Sequence, residues 1–413
     1  MTGLLLGGLA VLSLALTLWQ WLETRWFPLH RRIADPEFAP ALTLFKPLKG
    51  GDAETEACLR SWLSQDYPGK VQILFGVASA HEPAASIARA LLAESPGRDL
   101  ELVLCPQRLG TNGKASTLAQ LSNRARHAIW VVSDADVHVP PDFLSSLVAP
   151  LKDPGVGLVN AFYALDPAPT LAMRWEAIGV NADFWGSVLQ SLRFAPQRFA
   201  LGAAFAVRQI HVVQSGGFAA LTNVLADDFV LGRSVADQDL RIALCPVVAT
   251  CREAQQGWAA VWRHQLRWAR TIRVCSLWPY AASLASNSTL WPLLWALSDP
   301  RWTVWAGTAA CLAVRLATAW DSEARLTLST LHWRSLWLVP IKDLLQAALW
   351  AFAFLGDRVE WRGERFRVLP SGELLPCDAP ALGAPYTGPG VPPREGTRPT
   401  GLQAGSAPAD RLT

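Results

Sequence analysis

The sequence predicts an α/β domain built on a mainly parallel sheet, held at a membrane by an apolar helix before it and apolar helices after it. Between Ala41 and about Pro246, short apolar runs alternate with helical stretches, the pattern of βαβ crossovers covering both faces of a sheet. Gly3 to Leu22 is almost entirely apolar and uncharged, about the 20 residues that a helix needs to cross the hydrocarbon core. Composition agrees: charged residues make up 17% of the 413, below the roughly 25% of soluble domains, and apolar residues reach 51%. Trp occurs 20 times, and indole rings favour the headgroup boundary.

Taken in order, residues 1–24 read as a retained transmembrane anchor. A cleavable signal would carry a basic start and a small-residue cleavage site, whereas no charge precedes this run and Glu23, Thr24, Arg25 and Trp26 follow it. Arg25, Arg31 and Arg32 place the next domain in the cytoplasm by the positive-inside tendency. That domain spans 38–255, with strands expected at Ala41–Phe45, Val71–Val77, Leu100–Leu104, Ile129–Val132 and Val156–Phe162. Helices are expected between them at Glu54–Ser64, Pro83–Glu94, Ala115–His127 and Pro141–Leu151. In such sheets the ligand site lies beyond the carboxyl ends of the strands, so residues doing chemistry should follow strands directly.

Residues 256–275 read as an amphipathic interfacial helix, with Trp258, Val261, Trp262, Ala269 and Ile272 on one side and Arg263, Arg267 and Arg270 on another. A membrane region is expected over 276–358, with apolar stretches at Leu284–Leu297, Trp302–Trp320 and Leu336–Leu355. The last two are expected spans; the first carries Asn287, Ser288 and Pro292 and reads as a span or a re-entrant segment. Lys342 and Asp343, inside the third stretch, would pair with each other or face neighbouring helices. Residues 359–413 read as a short post-membrane segment and a tail which, from Ser371, is rich in Pro, Gly and Ala, aperiodic and expected to be disordered. The formal net charge of +3 lacks the concentrated basic footprint of a nucleic-acid protein. Seven cysteines without a CxxC pair indicate neither a disulfide framework nor a zinc site.

The strongest chemical signal is Val131-Val132-Ser133-Asp134-Ala135-Asp136, an apolar strand running into two carboxylates one residue apart. Both can reach one divalent cation, Mg²⁺ or Mn²⁺, which prefers oxygen ligands and bridges to diphosphate. The bland alternative is a solvated acidic turn. Ala226-Asp227-Asp228 opens a helical stretch after Gly216-Gly217; its carboxylates either cap that helix or supply a general base. In His264-Gln265-Leu266-Arg267-Trp268, Arg267 offers a rigid fork for phosphate and Trp268 a broad face for sugar or lipid, unless the helix merely rests at the headgroups. Lys46-Pro47-Leu48-Lys49-Gly50 ends the first strand, where a nucleotide can rest on the turn. Gly110-Thr111-Asn112-Gly113-Lys114 precedes a helix, whose amides and Lys114 suit anionic oxygens, although it is not a P-loop.

Together and in this order, these pieces resemble the ceramide glucosyltransferase family of inverting GT-A enzymes, and more closely its bacterial, hopanoid-associated branch. Asp66-Tyr67-Pro68, Gly155 to Val159, Gly216-Gly217-Phe218 and Trp361-Arg362-Gly363 also match, so the likeness runs from about residue 40 to about 370. The resemblance implies a GT-A (Rossmann-like) fold, a UDP-sugar donor carrying glucose or N-acetylglucosamine, a lipid acceptor, and a bacterial inner-membrane location with several spans and a cytoplasmic catalytic domain. By position, Asp134 would hold metal and donor, Asp136 would complete the metal site, and Asp228 would be the base with Asp227 beside it. Lys46, Pro47 and Lys114 would face the donor; Arg267 would touch its diphosphate, and His264 and Trp268 the acceptor.

Two positions depart from the family. Glu82, in His81-Glu82-Pro83, stands where Asp is usual, keeping the charge for a nucleotide contact but adding a methylene. His264 stands where Gln or Arg is usual, a shift associated with the hopanoid branch. A processive polysaccharide synthase would need a pore that at most four spans do not provide. A catalytically silent scaffold has only the altered Glu82 and His264 in its favour, and a transporter would leave some two hundred soluble-type residues without purpose.

Overall fold

The computed structural model describes residues 1–377 apart from Ala34, Pro36, Thr330 and Arg362, and of 331–332 only the backbone. Its main sheet has eight strands: β1 Leu42–Leu48, β2 Val71–Val77, β3 Asp99–Leu104, β4 Ile129–Ser133, β5 Val137–His138, β6 Val156–Leu165, β7 Ala204–Arg208 and β8 Arg241–Cys251. The order is β3-β2-β1-β4-β7-β6-β8-β5. Strands β3, β2, β1 and β4 run parallel, as do β6 and β8; β7 is antiparallel to both of its neighbours, and β5 to β8. This is the mainly parallel sheet that the alternating pattern predicts.

Every residue of β1 is buried, because helices cover both faces of the sheet. Leu42, Leu44 and Leu48 enter one core with Trp62 and Phe143, while Phe45 enters the other with Trp130 and Phe218. Lys46 occupies a core-facing position in this alternation. The helices of the domain are α2 Thr55–Leu63, α3 Pro83–Glu94, α4 Gly113–Ser122, α5 Phe143–Val148, α6 Leu171–Ile178, α7 Trp185–Ser191, α8 Gln209–Gln214 and α9 Asp227–Ala236. The chain passes outward from β1 through β2 to β3 and returns to β4 on the other side of β1, so a crevice opens between the ends of β1 and β4.

Helix α1, Thr2–Trp26, precedes the sheet, and α10 Trp258–Cys275, α11 Leu277–Ala282, α12 Leu290–Ser298, α13 Trp302–Thr327 and α14 Leu338–Phe354 follow it. Among the described residues α1 alone is long and apolar enough to cross a membrane. The stretch Leu284–Leu297 is broken at Asn287, and its nine-residue α12 rises only about 14 Å, so it is not a span. Helix α1 joins this group: Trp21 donates to Asp321 at 2.8 Å, and Glu23 pairs with Arg193 at 2.8 Å. A π-helical turn, Gly179–Phe184, links α6 to α7 and packs against α13.

Inside this helical group lies a closed set of charges. Arg315 grips Asp183 at 2.9 Å and Asp343 at 2.7 Å; Lys342 contacts both carboxylates, and Thr289 donates to Asp343 at 2.6 Å. Lys342 and Asp343 therefore pair with each other and with neighbouring helices at once. Two cations balance two anions, which makes their burial tolerable. Replacing Asp343 with Ala leaves Arg315 and Lys342 sharing one carboxylate, so a loss of about 3–5 kcal/mol is expected. Thermal unfolding in detergent checks it; an unchanged midpoint would show that the network contributes nothing.

A second sheet follows α14, with β9 Arg358–Trp361, β10 Glu364–Val368 and β11 Leu374–Pro376 in antiparallel order. The expectation of disorder from Ser371 is thus corrected: Leu374 is buried with Val359, Phe366 and Val368, and that apolar face outweighs the local composition. The remainder of the expected tail, 378–413, lies outside the described residues, as does Arg362.

Candidate active site

At the crevice, β4 delivers Asp134-Ala135-Asp136 into a tight turn before β5. The turn is anchored by its backbone: Asp134 N donates to Ala203 O at 3.1 Å, and Arg252 N to Asp136 O at 2.8 Å. Lys46 reaches beneath it, donating to Ser133 Oγ at 3.1 Å and to the Asp134 carbonyl, with Trp62 5.1 Å away. Lys46 is fully buried, so it supports the acidic turn instead of presenting its ammonium to the cleft surface, where a donor-binding role had been expected. Burial lowers its pKa to about 8. Burial, then the charge of Asp134, raise the Asp136 carboxyl to about 6. No cation-bearing side chain forms an ion pair with Asp136 among the described residues, and the donors on offer are all oxygen. That excess of negative charge fits a divalent cation completed by diphosphate and water. Protein groups alone do not form a cage of three or more ligands among the described residues.

The loop Gly110–Lys114 lies across the crevice. Asn112 caps α4 by accepting from Ala115 N at 3.0 Å, and its amide donates to Val224 O at 2.9 Å and to Asp227 Oδ1 at 3.3 Å. Asn112 thus ties this loop to the start of α9. Gly110 is needed for the approach, since a Cβ there would stand 2.4 Å from Thr222 O. Lys114 is 7% exposed and pairs with Asp134 Oδ1 at 2.6 Å. Although burial opposes its charge, the carboxylates of Asp134, Asp227 and Asp228 raise its pKa. One ammonium therefore stands among the acidic motifs of β4 and α9.

Asp228 is part-buried in the first turn of α9 and accepts from Phe229 N at 2.8 Å. Burial, then Asp227, raise its carboxyl to about 6. Gly202 leaves the space that this carboxylate fills, because a Cβ on Gly202 would come within 2.7 Å of Asp228 Oδ2. If Asp228 takes part in the chemistry, Gly202→Ala is expected to reduce turnover about a hundredfold while the fold persists, through displacement of its carboxylate. Steady-state rates with a thermal-unfolding control check this, and an unchanged rate would remove Asp228 from the chemistry.

Next to Lys114 opens a cavity of about 150 Å³, lined by Pro47 and Leu48 at the end of β1, Ala78 after β2, Cys105 to Arg108 after β3, and Thr111, Gly113, Ser116 and Thr117 of the loop and α4. Trp361, Glu364 and Phe366 of the second sheet complete its lining. Pro47, expected to face a donor, thus lines this cavity. Glu82 does not line this cavity: its carboxylate accepts from Gly50 N at 2.9 Å and braces the β1 loop. Arg267 is not among the lining residues, but its guanidinium lies 5.9 Å from the ring of Trp361, which is.

His264 shares the buried Glu176 carboxylate with Gln265, each at 2.7 Å, which locks α10 to α6. Trp268 packs edge-on against the His264 ring at 4.9 Å. The imidazole is thus committed to a protein partner on Nδ1. Two groups that no motif indicated lie nearby. The Tyr163 hydroxyl on β6 has no hydrogen-bond partner among the described residues, and burial, then Cys251, Asp228, Glu176 and Asp134, hold its pKa high. Glu253, after β8, is raised to about 7 by burial and then by Asp136, and Gln256 donates to it. Glu253 follows a strand, which is the one signal that marks it, whereas Tyr163 lies within β6.

The chain resembles known proteins along most of its length. A ceramide glucosyltransferase of Komagataella phaffii is 31% identical over 130 residues, which is 30% of this chain and 25% of that protein. A ceramide glucosyltransferase of Candida albicans is 30% identical over 129 residues, 29% of this chain and 24% of that protein. The matched segments thus span about a quarter of these two relatives. Ceramide glucosyltransferase 3 of Caenorhabditis elegans is 19% identical over 364 residues, covering 85% of this chain and 77% of that protein. Among solved structures, a mannosyltransferase of Pyrobaculum calidifontis in complex with GDP-Man and Mn²⁺ overlays with a TM-score of 0.47 at 21% identity, covering 82% of this chain and 98% of that one. The family model described as glycosyl transferase family 21 matches residues 5–374, taking in both acidic motifs and the second sheet, and the chain belongs to that family.

Proposed function

We propose that the chain is an inverting hexosyltransferase that moves glucose or N-acetylglucosamine from a UDP-sugar to the hydroxyl of a membrane lipid, a hopanoid polyol or a ceramide. The observation that carries this is the convergence of two acidic motifs on Lys114, beside a cavity of about 150 Å³ at the ends of β1 to β3. Asp134 and Asp136 are the residues that would hold Mg²⁺ or Mn²⁺, which supplies positive charge against a diphosphate. Lys114 and Arg267 give further positive charge on the donor side, and Lys46 positions the acidic turn.

Asp228 removes the proton of the acceptor hydroxyl as its oxygen bonds to the anomeric carbon. The bond from that carbon to the diphosphate breaks, its electron pair leaves on UDP, and the configuration inverts. Trp268 and the His264–Glu176 pair form the acceptor side, near the apolar helices. Helix α1 crosses the bacterial inner membrane and the segment 276–358 holds the enzyme against it, with 38–255 as the catalytic domain in the cytoplasm. Confinement with the lipid raises its effective concentration.

The test is donor consumption by the detergent-purified chain with Mg²⁺ or Mn²⁺, comparing UDP-glucose and UDP-N-acetylglucosamine, each with a bacteriohopane polyol and a ceramide. Turnover with one pair supports the reading and names both substrates. Absence of UDP binding and of turnover with every pair would overturn it.

A further inference from the structure

The second sheet lies far along the chain from the donor residues, yet it touches three parts of the site. Its strand β10 presents Glu364 to Arg108 in a two-pronged pair at 2.5 and 2.8 Å, bridging to the loop after β3. Its β11 end is sewn to the lead-in of α9: Leu225 N donates to Gly372 O at 3.1 Å, and Leu374 N to Asn223 O at 2.8 Å. Helix α10 holds its start, with Arg270 donating to Arg358 O and Arg273 to Gly356 O at 3.3 Å. Alternation along β10 turns Glu364, Phe366 and Val368 inward and leaves Arg365 and Arg367 exposed. Trp361 pairs in register with Glu364, so two aromatic rings and one carboxylate enter the cavity lining from this sheet.

The cavity runs from Lys114, which is bound to Asp134, to Ala78 and Cys105 at the ends of β2 and β3. A diphosphate at Lys114 therefore directs its nucleoside into the space that Trp361 and Phe366 border. We infer that the sheet Arg358–Pro376 is the outer wall of the donor site, with Trp361 as an aromatic platform for the nucleoside and the Glu364–Arg108 pair holding that wall against the loop after β3. This rests on the nucleotide-sugar reading above. The wall also touches Asn223 to Leu225, directly before Asp227 and Asp228, so donor side and base share one support.

The test measures binding of UDP and of inorganic pyrophosphate, each with Mn²⁺, to the full chain in detergent. For Trp361→Ala, UDP affinity should fall about tenfold, the effect of losing one aromatic–base contact, while pyrophosphate affinity stays unchanged. Trp361→Phe should restore most of the UDP affinity, and it also serves if the Ala variant fails to fold. Glu364→Gln should weaken UDP binding by a smaller factor, again without touching pyrophosphate. Equal UDP affinity in wild type and both Trp361 variants would overturn the wall while leaving the function reading standing. Parallel losses for UDP and pyrophosphate would also overturn it, since they mark a general structural fault. If the wild type binds neither ligand, the function reading and the wall fall together.

Discussion

Asp228→Asn is expected to lower the transfer rate about a thousandfold and to leave UDP affinity within about a factor of two, because the amide keeps the shape but cannot take a proton. The wild type should also lose activity as the pH falls below about 6, the value to which burial and Asp227 raise this carboxyl. The sign follows from the role: a base works ionised, so protonation through that range removes it. In the Asn variant the residual rate should lack this acidic limb. Rate against pH for both proteins, with UDP titrations alongside, checks the pair of claims. Loss of UDP binding together with turnover would move Asp228 into the donor site.

Asp134→Ala is expected to weaken Mn²⁺-dependent UDP binding about a hundredfold. Two losses combine. The cation forfeits a carboxylate, and Lys114, 7% exposed and paired at 2.6 Å, is left facing Asp227 and Asp228 without its nearest partner. Wild-type affinity should collapse on adding a chelator, whereas the variant's weak binding should barely respond. Unchanged affinity in the variant would rule out the metal assignment for Asp134.

The strands nearest the site were legible as short apolar runs: β1, β2 and β4 are buried on both faces, and β1 to β4 and β6 match the expected runs closely. Strand β8 was not named, since Pro246 lies within it and reads as a stop. The helical segment from Leu171 to Ser191 was also missed, because its π-helical turn breaks the 3.6-residue period. The acidic motifs could be read because a strand runs directly into one and a helix starts on the other. What each carboxylate faces could not. Lys46 reads from the sequence as a donor-facing residue at a strand end, and only the pairing of β1 with β4 puts Ser133 within its reach. Glu82 and His264 take partners that neighbouring sequence does not announce: Gly50 lies 32 residues from Glu82, and Glu176 lies 88 from His264. Gly202 and Tyr163 belong to no motif at all. The second sheet was hidden for a similar reason: its apolar face is short and split by turns, and it packs on Leu225, far back in the chain.

The most direct test of the central claim is the anomeric configuration of the product. The glycolipid made from an α-linked UDP-sugar would be isolated and its anomeric coupling measured by NMR. A single displacement with Asp228 as base predicts a β-linked product. An α-linked product would contradict it and require a retaining mechanism.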